Sequence, residues 1–162
     1  MRFGQEVQTL PRQAELTPTA QPRIIDVVAG ILHADDGTVL LQRRPAGREH
    51  AGFWEFPGGK REPGEAAFAA LARELAEELA ITVLAAEPFE RLTHDYPQRT
   101  VRLDFWRVQR WSGQPEPREG QQLGWFAPDA LPGDDLLPAN HPIAKRLAAA
   151  HAQGPSRDSA GT

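Results

Sequence analysis

The chain has 162 residues, with 18 basic and 22 acidic side chains, a formal net charge of −4 and no cysteine. This length suits one domain with a sizeable core, while the charge balance excludes the basic face of a DNA-binding protein and the missing cysteines exclude disulfides and thiolate metal sites. No apolar run approaches a membrane span and the N-terminal stretch lacks the apolar core of a secretory signal, so the expected compartment is the cytoplasm.

Residues 1–22 are polar, contain proline and carry no sustained period, which predicts a flexible tail. Residues 25–33 have the apolar character of a strand, and Asp36-Gly37 supplies a hairpin turn into a second strand over 38–42. Arg43 and Arg44 follow; neighbours on an extended chain point to opposite faces, so only one of them can face a given cleft. Pro63-Gly64 predicts the entry to a helix, with Glu65 in its first turn where a carboxylate suits the dipole. Phe68, Leu71, Ala72, Leu75 and Leu79 recur at helical period and form one apolar stripe. Residues 89–93 and 101–108 read as antiparallel partners across Tyr96-Pro97-Gln98, 123–126 as a further strand and 142–150 as the last helix. A second flexible tail is expected over 152–162. Strands interleaved with helices predict an α/β domain over residues 23–151, with a mixed sheet between helical layers. The four tryptophans are expected to serve packing.

The chemistry concentrates on the first helix. Glu74, Glu77 and Glu78 stand at i, i+3 and i+4 and are surface neighbours. Like charges so placed repel by about 0.2–0.5 kcal/mol per pair, a cost that a hard cation would remove; Mg²⁺ prefers oxygen ligands and completes its shell with water and phosphate. An acidic triplet alone is most often a solvated helix face, but here Gly59, Glu65 and Arg73 precede it at fixed offsets. Other catalytic templates fail: Gly59-Lys60 lacks the P-loop spacing, no G-x-S-x-G elbow exists, and the five histidines show no H-E-x-x-H pattern.

Those offsets resemble the Nudix box: Gly59, five residues, Glu65, seven residues, then Arg73-Glu74-Leu75-Ala76-Glu77-Glu78, with Ile81 as the closing apolar position. The chain departs at Ala80, where the family has glycine; a left-handed residue there would cost alanine about 1 kcal/mol. Beyond the box, residues 25–148 resemble the MutT-like branch, the 8-oxo-dGTP pyrophosphohydrolases, through Leu41-Gln42-Arg43-Arg44, Trp54-Glu55-Phe56-Pro57-Gly58-Gly59-Lys60, Glu119-Gly120-Gln121 and Pro138-Ala139-Asn140.

The resemblance implies an α/β/α sandwich and Mg²⁺-dependent hydrolysis, with Mn²⁺ as a substitute, at the β-phosphorus of a nucleoside triphosphate. It implies metal ligation by Glu74, Glu77, Glu78, the Gly58 carbonyl and Glu119, with Arg73 orienting the glutamates. Composition alone makes Glu119 a surface-loop acid; the resemblance makes it a fourth ligand or general base. Substrate contacts fall to Arg44, Phe56, Arg99 and Asn140. Asn140 is either a cap for the last helix or a base reader: its amide pairs a donor with an acceptor, which matches O6 and the N7–H of 8-oxoguanine, whereas N7 of plain guanine is an acceptor. Two other readings stand beside this one: a Nudix hydrolase of modified dCTP, CTP or ADP-ribose, and a non-catalytic nucleotide sensor. The expected partner is a free nucleotide met by a monomer, with neither DNA nor membrane.

Overall fold

The computed structural model describes residues 23–154. The tail expected over 1–22 and residues 155–162 of the second tail lie outside them. Seven strands and two helices follow one another: β1 (Arg23–Leu32), β2 (Val39–Arg43), β3 (Trp54–Glu55), β4 (Gly58–Lys60), α1 (Ala67–Leu79), β5 (Thr82–Tyr96), β6 (Arg99–Ser112), β7 (Gln122–Phe126), a 3-10 turn (Pro138–Asn140) and α2 (His141–Gln153). The strands form a mixed four-stranded sheet in the order β4-β1-β6-β5, with β1 parallel to β6, and a second, antiparallel sheet in the order β3-β2-β7.

β1 and β2 show why two helical layers are needed. On β1, Val28 and Leu32 join the core cluster with Leu71, Leu75 and Leu79 of α1, whereas Ala29 and Ile31 join the cluster with Ile143 and Leu147 of α2. On β2, Leu40 belongs to the first cluster and Val39 and Leu41 to the second. Both strands are therefore apolar on both faces, as strands covered on both sides must be. The expected α/β/α sandwich is present, and its strands divide into two sheets. A His33–Val39 bridge connects them next to the Asp36-Gly37 turn, and a cleft is lined by residues of both sheets.

Several elements differ from the sequence expectations. β5 begins at Thr82, seven residues before the expected start, because bulges between Val83 and Ala86 and around Pro88 scramble the alternation without ending the strand. β3 and β4 are two and three residues long, too short for periodicity to reveal. α1 starts at Ala67, so Glu65 precedes the helix and no acidic side chain lies in its first turn. Phe68 is 39% exposed and packs edge-on against Trp106 instead of entering the core. α2 continues to Gln153, past the expected domain end at 151, since no breaker intervenes before Gly154 at φ 57°.

Candidate active site

A cleft of about 570 Å³ opens beside α1 and is lined by Gln42, Arg44, Glu55, Phe56, Gly58, Glu74, Glu77, Glu78, Tyr96, Arg99, Glu119 and Asn140, among others. Its acidic end is built from the α1 carboxylates and the two glycines of β4. Gly58 is tight against β1: a Cβ there would lie 1.9 Å from the Val28 carbonyl oxygen. Gly59 is tight against the site itself, since its Cβ would lie 2.2 Å from Oε2 of Glu74. Glycine at 59 is thus the space in which the Glu74 carboxylate sits.

Arg73 ties the box together. Its Nε and Nη2 donate to the two carboxylate oxygens of Glu65 at 2.9 and 2.8 Å, its Nη1 to Glu74 at 2.9 Å and Glu77 at 3.4 Å, and its Nη2 to the Lys60 carbonyl at 3.0 Å. The bidentate fork with Glu65 fixes the guanidinium plane and holds the Glu65 carboxyl down at about 2. Glu65 therefore serves from outside the helix, as the anchor of the arginine that orients Glu74 and Glu77.

Glu78 behaves differently. It is 8% exposed and accepts from the Gly58 N–H at 3.0 Å and the Gln42 amide at 3.3 Å. Burial, then the negative charges of Glu55, Glu74 and Glu119, push its carboxyl up to about 8. Burial also raises Glu74, against the pull of Arg73, and Glu55, against the pull of Arg44 at 3.7 Å. No cationic side chain bonds Glu78 among the described residues. An all-oxygen donor set with charge left uncompensated fits a hard divalent cation, although among the described residues no three acidic side chains converge on a ready-made cation site. Arg73 holds Glu74 and Glu77 in this arrangement.

A family profile for the NUDIX domain matches residues 27–146. The chain belongs to the Nudix family. This Nudix domain is 39% identical over 123 residues to the 8-oxo-dGTP diphosphatase of Escherichia coli K12, covering 76% of this chain and 95% of that protein. It is 41% identical over 125 residues to the 8-oxo-dGTP diphosphatase of Haemophilus influenzae (77% and 92% covered). A CTP pyrophosphohydrolase of E. coli K12 is 37% identical over 134 residues (83% and 98% covered). Among solved structures, one from work on MutT of Aliivibrio salmonicida and Vibrio cholerae matches with a TM-score of 0.65 at 37% identity, covering 79% of this chain and 99% of that one. The solution structure of the E. coli ORF135 protein matches with a TM-score of 0.69 at 36% identity (83% and 96% covered).

Within the Nudix domain the predicted residues gather around one cleft, with three changes of detail. Glu78 is buried beneath the helix and not on its solvent flank. Phe56 is 3% exposed with its ring against Phe105; what it presents to the site is its N–H, which donates to Asn140 Oδ1 at 3.2 Å. Arg99 lines the cleft but donates to Glu49 at 2.8 Å. Arg44 lines the cleft, whereas Arg43 turns its Nε to the Gly52 carbonyl at 2.9 Å. Asn140 stands at the start of α2 yet makes no side-chain cap hydrogen bond, and is 4% exposed. Sequence reasoning missed Gln42, Glu55 and Gln121, all buried or half-buried polar residues of the cleft. The available signals were their places in the resemblance landmarks, Leu41-Gln42-Arg43-Arg44, Trp54-Glu55-Phe56 and Glu119-Gly120-Gln121, and the glutamine that follows the apolar run Val39-Leu40-Leu41.

Proposed function

We propose that this Nudix hydrolase converts 8-oxo-dGTP into 8-oxo-dGMP and pyrophosphate, clearing an oxidised nucleotide before it enters DNA, and that it acts as a monomer on the free nucleotide in the cytoplasm. The observation that carries the reading is Asn140. Its side chain is buried on the cleft wall, does not cap α2, and is steered by the Phe56 N–H. A carbonyl oxygen has two lone pairs. With one taken by Phe56, the second can accept the N7–H of 8-oxoguanine, while Nδ2, which bonds no protein group among the described residues, donates to O6. The relatives named 8-oxo-dGTP diphosphatase support the same substrate.

Mg²⁺, or Mn²⁺ in its place, would be held by Glu74, Glu77, Glu78, Glu119 and the Gly58 carbonyl, and supplies charge neutralisation for the triphosphate and a more acidic water. The protein's own groups do the rest. Arg73 keeps Glu74 and Glu77 oriented. Arg44 offers a guanidinium fork to phosphate oxygens, and Arg99 is released from Glu49 for the substrate. Glu119 completes the acidic end and can take the proton of the attacking water. Attack at the β-phosphorus breaks its bond to the α–β bridging oxygen, which leaves with the nucleoside monophosphate.

Titrating 8-oxo-dGMP and dGMP calorimetrically into wild type and Asn140→Ala tests the reading. Against plain guanine the asparagine oxygen faces an acceptor, at a cost of about 1–3 kcal/mol. The mutation should therefore shrink the affinity ratio between the two products by about tenfold or more. An equal fall in both affinities would make Asn140 a general contact and remove the specificity argument. Hydrolysis of pyrimidine triphosphates is the second reading, supported by the CTP pyrophosphohydrolase relative; tight CMP binding with no preference for 8-oxo-dGMP would favour it.

A further inference from the structure

The loop that carries Glu119 is fastened to the C-terminal end of α1. Glu116 N–H donates to the Leu79 carbonyl at 2.9 Å and Arg118 N–H to the Glu78 carbonyl at 3.0 Å. The Gln121 side chain adds a third tie, Nε2 donating to the same Glu78 carbonyl at 3.0 Å. The last carbonyls of a helix lack partners within the helix, so the loop caps α1 as it docks. Gln121 also reaches the other way: its Oε1 accepts the Glu119 N–H at 2.8 Å. Its Nε2 lies 3.4 Å from Oε1 of Gln42, whose own Nε2 lies 3.3 Å from Glu78 and 3.4 Å from Glu55. Both amides are buried, Gln42 at 5% exposure and Gln121 at 7%.

We propose that Gln121 is a positioning residue that holds Glu119 in register with the carboxylates of α1. The geometry requires an amide. A carboxylate at 121 would accept from Glu119 N–H but could not donate to the Glu78 carbonyl, and an aliphatic side chain would do neither. One side chain, 43 residues from Glu78 in sequence, therefore links the backbone of Glu119 to the backbone of Glu78. Gln42 continues the link to the Glu78 and Glu55 side chains. Glu119 is itself exposed, yet its N–H is fixed through a buried amide to the end of the helix that carries Glu74, Glu77 and Glu78. The inference rests on Glu119 being a ligand or base of the site.

A double-mutant cycle with Gln121→Met, a linear side chain of similar length, and Glu119→Gln tests it. The readouts are kcat and KM for 8-oxo-dGTP with Mg²⁺, and Mn²⁺ affinity of the nucleotide-free protein by electron paramagnetic resonance. Groups that orient ligands typically contribute about 10–100-fold in affinity or activity. Gln121→Met should lower kcat and Mn²⁺ affinity by about tenfold or more, with little change in KM. Adding Glu119→Gln to Gln121→Met should cost about twofold or less, well below the cost of Glu119→Gln alone. Gln121→Leu, which likewise neither donates nor accepts, should match Gln121→Met and carries the same cycle should the methionine variant not fold. Multiplying losses, or wild-type kcat and Mn²⁺ affinity in Gln121→Met while Glu119→Gln is impaired, would overturn the positioning role alone. No loss in Glu119→Gln itself would overturn both this role and the Glu119 assignment.

Discussion

Glu78 is the residue at which charge and burial conflict most directly. Its carboxyl is pushed up to about 8 by burial first and by Glu55, Glu74 and Glu119 next. A group whose folded pKa is raised contributes stability that is fully present below its unfolded value, near 4.5, and is lost as pH rises through about 8. In metal-free protein, wild type should therefore lose stability between pH 5 and pH 8 relative to Glu78→Gln. One pKa unit corresponds to about 1.4 kcal/mol, so the difference across that window should exceed about 1 kcal/mol. Denaturant melts in chelator at several pH values measure this, and parallel curves for the two proteins would place Glu78 in a far more polar setting. At saturating Mg²⁺ the same variant should lose most of its turnover while remaining folded; near-normal turnover would end its assignment as a ligand. The sequence marked Glu78 only as one of three neighbouring carboxylates on the helix surface, because helical spacing gives the angle of a side chain and not the depth of the wall beside it. That wall is β4, whose Gly58 supplies its N–H to Glu78 and whose Gly59 leaves room for the neighbouring Glu74 carboxylate.

At the scale of elements, α1 and its exits were the most legible part of the chain. The box offsets located the helix, and the missing glycine at 80 pointed to strain at its end. Ala80 does adopt the left-handed conformation, φ 57° and ψ 31°, with its N–H bonded to the Ala76 carbonyl. Ala80→Gly should stabilise the fold by about 1 kcal/mol, or about 3–5 °C in melting temperature, with activity unchanged; an unchanged or lower melting temperature would mean the strain is relieved elsewhere. β4 provides the converse case. Gly59→Ala places a methyl group where the Glu74 carboxylate sits, and Arg73 restrains that carboxylate from moving aside. Activity should fall at least about tenfold, as for other disturbed ligand supports, while the melting temperature moves little. A loss of folding with no specific kinetic defect would contradict this. Short β3 and β4 were illegible because period 2 needs more than two or three residues, and the early half of β5 was hidden by its bulges.

For the molecule as a whole, the sandwich was legible because strands alternate with helices along the chain and the box resembles a known family, and the cleft was not, because its lining comes from strands of two separate sheets. Strand pairing across 76 residues joins Arg23 to Arg99, and Asn140 meets Phe56 from 84 residues away. The family resemblance could nominate Arg44, Glu119 and Asn140 separately, but the buried amides of Gln42 and Gln121 became visible only with the fold. With an acidic end at α1 and the proposed base contact at Asn140 on one cleft, substrate choice is the property to measure. The most direct measurement is kcat/KM with Mg²⁺, by pyrophosphate or phosphate release, for 8-oxo-dGTP, dGTP, CTP, a modified dCTP and ADP-ribose under identical conditions. The account predicts pyrophosphate release from 8-oxo-dGTP with a kcat/KM at least about tenfold above every other substrate, corresponding to 1.4 kcal/mol or more of discrimination. Equal or better turnover of CTP or ADP-ribose, or no hydrolysis of 8-oxo-dGTP, would contradict it.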